Sequence, residues 1–267
     1  MISIFLIATV FASRLVWGQS ASNVTVEDVS QAFTTSGIVP DVLSSFDPTA
    51  ILNVVFHDQA TNSSIDVVPG MNLTTEQTLL EPQFFLSTNN TSFDQQTFVL
   101  VILDPDAPTP QNASLAQFRH LLAGDFHVNG STDTGLGALL TNTSAALTEF
   151  VNPTPPAGSD PHRYPVLLFM QPANFSTVAP LFINASTPRS NFNLTTFAEE
   201  VGLGDPVAGN LFFTGPDNTT NTSATSSAAP TSSGSSGTTT PASGVVGKSV
   251  PYALALFVVF VVTMSWM

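Results

Sequence analysis

The stretch Phe98-Val99-Leu100-Val101-Ile102-Leu103-Asp104-Pro105-Asp106-Ala107-Pro108 decides how this chain folds. Six consecutive apolar residues ending at an Asp-Pro turn read as a strand covered on both faces. The two prolines then stop the strand and stiffen the loop that follows. Similar apolar or β-branched runs at residues 51–56, 119–123 and 166–170, each bounded by Pro, Gly, Asn or Asp, make the region mainly β. A helix is predicted to open at a capping box over Thr25-Val26-Glu27-Asp28, with Val29, Ala32 and Phe33 on one face and Gly37 ending it. A second is predicted over 193–201, with a capping box at Thr196 and Glu199 and a turn marked by Pro206 and Gly209.

Outside this region both ends read as processing signals. Residues 1–18 hold an apolar run and close on Val16-Trp17-Gly18, as a cleaved signal peptide does. Residues 252–267 are apolar to the last position, and small residues and a spacer precede them. That order is the grammar of a GPI-attachment signal over 244–267, with Ser243 or Ser236 as attachment residue; a single transmembrane helix without a cytoplasmic tail is the alternative. Residues 215–243 collapse into Ser, Thr, Ala, Gly and Pro and read as a glycosylated stalk. One folded domain, 19–214, remains.

Thirteen Asn-X-Ser/Thr sequons fit a secreted chain: Asn23, Asn62, Asn72, Asn89, Asn90, Asn112, Asn129, Asn142, Asn174, Asn184, Asn193, Asn218 and Asn221. Asn152 is expected bare because Pro153 follows it. The chain has no cysteine, which excludes disulfides, thiolate chemistry and Cys-based metal sites. A net charge of −14 argues against nucleic acid. Arg119, Arg163 and Arg189 are the only cations left between the two signals, and at least two are expected to pair with buried or half-buried carboxylates.

The polar residues that carry chemistry fall into two clusters. Asp104-Pro105-Asp106-Ala107-Pro108 follows the buried strand, with His120 one strand further on. Pro155-Pro156-Ala157-Gly158-Ser159-Asp160-Pro161-His162-Arg163-Tyr164 leads into another strand. Acids, histidines and a tyrosine at strand ends can converge on one pocket. These clusters resemble the two signatures of the phosphatidylethanolamine-binding family. Pro40-Asp41-Val42-Leu43, the segment from Phe46 to Phe56, and the run from Arg189 through Asn210 are similar as well.

The resemblance implies an antiparallel β-sandwich with a few short peripheral helices and a small anion pocket. The ligand-binding positions it implies are Asp104, Asp106, His120, Pro156, His162 and Tyr164, for phosphate-type anions or phospholipid headgroups. Arg163 is expected in a structural ion pair with Asp106 or Asp104, and Ala107–Pro108 is a candidate cis bond. Neither a cofactor nor a metal is implied. The chain departs from the family's pattern at Thr154, Phe118, Arg119 and Pro165, the last suggesting a sheet edge or a bulge. Its 124–150 segment is also longer.

Three functional classes follow. A surface-displayed binding protein, tethered to the membrane or retained in the cell wall, leads. A serine carboxypeptidase inhibitor-like role, with a protease partner, is the alternative within the family. A structural cell-wall glycoprotein with a vestigial pocket is the third. An enzyme is not expected: there is no Gly-x-Ser-x-Gly elbow and no His-x-x-x-His metal pattern, and although Ser159 lies near His162 its neighbours are Pro-rich.

Overall fold

The computed structural model describes residues 24–131 and 135–216. The expected signal peptide, stalk and GPI signal, with Ser236, Ser243, Asn23, Asn218 and Asn221, lie outside the described residues. Nine strands run in chain order: β1 (Ile51–Asp58), β2 (Ser63–Asp66), β3 (Met71–Leu73), β4 (Gln83–Ser87), β5 (Thr97–Asp104), β6 (Phe118–Ser131), β7 (Ala138–Asn142), β8 (His162–Met170) and β9 (Pro206–Thr214). Four short helices accompany them: α1 (Val26–Thr35), α2 (Ile38–Asp41), α3 (Phe175–Phe182) and α4 (Leu194–Val201).

The strands form one sheet in the order β2-β1-β4-β7-β6-β5-β8-β9-β3, antiparallel throughout except for the parallel β3–β9 pair. The sheet curls over itself, so its two layers belong to one sheet. Where β9 meets the start of β1, the Thr49 and Ala50 N–H groups donate to the Val207 carbonyl (2.9 and 3.2 Å). Asn210 Nδ2 donates to the Leu52 and Val67 carbonyls at 3.0 and 3.2 Å.

β5 shows why the apolar run had to be continuous. Phe98, Leu100 and Ile102 enter the core inside the curl with Leu52, Val54 and Phe56. Val99, Val101 and Leu103 leave the opposite face and pack against Val29 and Phe33 of α1 and residues of α3 and α4. Among the described residues, all three apolar clusters and all strand pairings lie between Val24 and Thr214.

The first helix is capped as predicted: Asp28 N donates to Thr25 Oγ1 (3.2 Å) and Thr25 N to Asp28 Oδ2 (2.9 Å). The second is not. Asn193 is its N-cap, accepting from Thr196 N at 3.0 Å, so Thr196 and Glu199 lie inside the helix. The long 124–150 segment is used as the β6–β7 hairpin and the return that follows. Pro165 sits at neither a bulge nor an outer edge. β8 is flanked by β5 and β9, but its pairing with β5 begins only at Val166, one residue later. By strand alternation the missing Pro165 N–H faces the β5 side, as the Arg163 N–H does, where no ladder bond is lost.

Candidate functional site

Two loops build the site. The first leaves β5 at Asp104 and the second enters β8 at His162, and antiparallel pairing sets these two strand ends side by side. Asp104 Oδ1 accepts from Asp106 N (2.8 Å), closing the Asp-Pro-Asp turn, and the Ala107–Pro108 bond is cis. The second loop turns at Gly158, whose φ of 83° a side-chain-bearing residue adopts only with strain, and Ser159 N donates to Pro156 O at 3.0 Å. The Gln111 amide on the first loop donates to Asp160 on the second, tying the two together.

Asp104, Asp106, His120, His162 and Tyr164 converge, and none is more than 4% exposed. Pro156 lies in the second loop and is exposed. His162 Nδ1 sits 2.8 Å from Asp104 Oδ2, and Nε2 lies 3.0 Å from Ser159 Oγ. His120 Nδ1 donates to the Val151 carbonyl at 2.7 Å, leaving Nε2 as acceptor 4.0 Å from Asp104 Oδ2. Burial pushes the His120 imidazole below its usual value, outweighing the Val151 carbonyl and the Asp104 charge. Tyr164 lies edge-on to His120 and stacks on Phe212, with ring centroids 5.1 Å apart in each case. Desolvation, then the Asp104 and Asp106 charges, push its phenol strongly up, so it stays protonated.

The Tyr164 hydroxyl is buried without a partner in good hydrogen-bond geometry, its approach to Asp104 being only loose. Tyr164→Phe is therefore expected to change stability by less than about 1 kcal/mol in urea unfolding, since a buried hydroxyl with no bond offers little to lose. A loss above about 2 kcal/mol would mean that the hydroxyl is bonded.

Asp106 is held by Arg163. Its oxygens accept from Arg163 Nη2 (2.7 Å), Nε (3.0 and 3.2 Å) and backbone N (2.8 Å). The same guanidinium donates to Asp41 Oδ2 (2.8 Å) and to the Ser36 carbonyl (2.9 Å). Gly37 beside it has a φ of 76°, and a Cβ there would stand 3.2 Å from Arg163 Nη1. Asp41 was visible in the Pro40-Asp41 resemblance, but its partner lies 122 residues away and has no local signal.

The other arginines depart from the expected pairing. Arg119 is 1% exposed yet donates to Thr148 Oγ1 and the Thr187 carbonyl, with no carboxylate within ion-pair distance among the described residues. Arg189 donates to the Arg119 carbonyl at 3.2 Å. Backbone and hydroxyl oxygens replace the carboxylates, so only Arg163 fulfils the expectation.

Ser159, His162 and Asp104 stand in the order of nucleophile, base and acid. The protons run the wrong way for that chemistry. Ser159 Oγ gives its single proton to the Asp160 carbonyl at 2.8 Å, so it accepts from His162 Nε2. Ser159 therefore does not present its proton to His162 as a nucleophile does to its base, while His162 Nδ1 is turned to Asp104.

Comparison with known proteins places this geometry. The family model for phosphatidylethanolamine-binding protein matches residues 63–213. The chain belongs to the phosphatidylethanolamine-binding protein family. Carboxypeptidase Y inhibitor of Saccharomyces cerevisiae is 34% identical over 158 residues, 51% of this chain and 70% of that protein. The 26 kDa secreted antigen of Toxocara canis is 30% identical over 183 residues, 67% of this chain and 62% of the antigen.

The solved structure of carboxypeptidase Y inhibitor complexed with its cognate proteinase superposes with a TM-score of 0.58 at 27% identity, covering 72% of this chain and 96% of that one. Phosphatidylethanolamine-binding protein from Plasmodium vivax, at a TM-score of 0.55 and 19% identity over 70% of this chain and 97% of that one, shares the fold. Among these names, one describes inhibition and one binding, and none names a catalytic activity.

Proposed function

We propose that this family member is an extracellular, non-enzymatic binding protein for small phosphate-type anions or phospholipid headgroups, displayed at the cell surface by a GPI anchor. One observation carries the reading: His162, oriented by Asp104 through Nδ1, stands beside His120, whose Nε2 has no hydrogen bond among the described residues. An anion entering there meets donors at once and holds a proton on His120. Asp104 retains lone pairs for the ammonium of an ethanolamine group, and Tyr164 supplies a neutral hydroxyl.

Display outside the cell is supported by the sequons. Each of the ten that fall among the described residues, from Asn62 to Asn193, has an exposed asparagine, whereas the buried Asn53 and Asn210 are outside sequons. The Toxocara relative is itself described as secreted.

The test is calorimetric titration of residues 19–216 with glycerophosphoethanolamine, inorganic phosphate and a glycerol control. Wild type is expected to saturate, and a His120→Ala, His162→Ala double variant to bind at least about 100-fold more weakly, two charge-assisted bonds being lost. Saturable binding unaltered in the folded double variant would sink the reading.

The pH dependence follows from His120. Its folded value lies below the ordinary 6.5, so the ring is neutral at pH 7 and the unligated fold loses stability as pH falls from 6.5 toward the folded value. The anion-bound form takes up that proton. Affinity for the phosphodiester is therefore expected to rise between pH 7.5 and 5.5, by at most about tenfold per pH unit. A flat or inverted profile would show that His120 does not charge on binding.

Protease inhibition is the second reading, favoured by the yeast relative named carboxypeptidase Y inhibitor and by the solved complex of that inhibitor with its proteinase. Nanomolar inhibition of a serine carboxypeptidase by the wild-type domain would establish it.

A further inference from the structure

Arg119 and His120 are successive residues of β6 and leave opposite faces of the sheet. His120 joins the anion site, while Arg119 lines a separate cavity of about 570 Å³ against α3, α4 and the segment between them. Phe182, Ile183, Phe192 and Phe197 supply its apolar walls, and Glu200 stands at the exposed rim. A volume of this size is ordinary for a small-molecule site.

The guanidinium in that wall is incompletely satisfied. Nε donates to Thr148 Oγ1 (3.0 Å) and Nη2 to the Thr187 carbonyl (3.3 Å), and the plane rests 5.0 Å from the Phe192 ring centre. Nη1 has no hydrogen-bond partner among the described residues. Desolvation, and after it the like charge of Arg189, disfavour the cation. A buried cation without a counter-ion is costly, and an anion that brings one lowers that cost.

We propose that this cavity binds an apolar carboxylic acid, with its carboxylate on the Arg119 guanidinium and its hydrocarbon body against Phe182, Phe192 and Phe197. The N–H groups left on Nη1 and Nη2 match the two oxygens of a carboxylate. Glu200 at the rim opposes a dianion such as phosphate, and the phenylalanine walls require a hydrocarbon rather than a polar headgroup. The site is independent of the one around Asp104.

The test uses decanoate and decanol, which differ only in the charged end, titrated calorimetrically into the full chain purified as its host processes it. Wild type is expected to bind decanoate at least about tenfold more tightly than decanol, the strength of one charge-assisted bond in a desolvated place. Arg119→Met, which keeps the bulk, should remove that preference. Glu200→Gln lies at the exposed rim, leaves the core intact and should tighten decanoate about two- to fivefold by removing a like charge. Thr196→Trp, also exposed, should block the cavity if Arg119→Met does not fold. The His120→Ala, His162→Ala double variant should bind decanoate as wild type does, which separates this site from the anion site. No saturable decanoate binding, equal binding of acid and alcohol, or decanoate binding unchanged in both the Glu200→Gln and Thr196→Trp variants overturns the proposal.

Discussion

Arg163→Met lowers the unfolding free energy by about 3–5 kcal/mol, read as a fall in the urea midpoint at unchanged slope. The loss comes from what stays behind. Asp106 is 3% exposed, and three of its four accepted hydrogen bonds come from the Arg163 side chain. Met fills the space of the stem but leaves a buried carboxylate holding one backbone N–H. The bonds to Asp106 also hold Arg163 well above the usual guanidinium value, the direction expected of a pair that favours its charged form. The same guanidinium joins the α1–α2 corner to the sheet through the Ser36 carbonyl and Asp41. Asp41 is the control: its side chain is 51% exposed, so Asp41→Asn should cost less than about 1 kcal/mol. Equal losses in the two variants, or an Arg163→Met loss under about 1 kcal/mol, would contradict the assignment of Asp106 to structure.

Asp104→Ala is expected to cost about 2–4 kcal/mol of stability and to abolish anion binding, because the carboxylate ends two buried bonds. Asp106 N and His162 Nδ1 would both lose their acceptor in a place water does not reach. Asp104→Asn separates the two roles. Its amide oxygen still closes the turn on Asp106 N, so stability should recover to within about 1.5 kcal/mol of wild type. Its NH2 faces His162 Nδ1 and turns that nitrogen into an acceptor, so the imidazole loses the orientation that the carboxylate imposes. Anion affinity should stay at least about tenfold below wild type in the Asn variant. Wild-type affinity in a folded Asp104→Asn protein would show that His162 needs no carboxylate to orient it. Comparing the two variants by urea midpoint and by calorimetry distinguishes a turn residue from a positioning residue.

Local sequence carried four of the nine strands and two of the four helices; the turn expected at Pro206 and Gly209 lies instead inside β9, where both residues pair with β8. The unbroken apolar run at 98–103 placed a two-sided strand, and the Thr25 box placed the first helix where it begins. The second helix shows the limit: Asn193 and Thr196 are both good caps, and the choice falls to Asn193 because the backbone enters there, held by the Gln117 side chain on Leu194 N and by the Gln117–Phe192 backbone bonds. Pro165 misled for a similar reason. A proline breaks a ladder only where a neighbour is paired, and how far the β5–β8 pairing extends is set by the sheet.

The two signature clusters were legible as motifs because each is local, with rigid prolines and chemistry-bearing side chains within a few residues. Their types and positions, the absence of cysteine and the acid excess were therefore determined by the sequence alone. Which oxygen meets which nitrogen was decided only by the tertiary structure. Asp104 and Asp106 are two residues apart and chemically alike, yet one orients His162 and the other is held by Arg163, because β5 and β8 bring their ends together in a single register. Arg119 is the sharpest case. A buried arginine calls for a carboxylate on composition alone, but curling the sheet against α3 and α4 gave it one carbonyl, a hydroxyl, a phenylalanine face and an open cavity. Partners separated by tens of residues are chosen by packing, and packing has no local code.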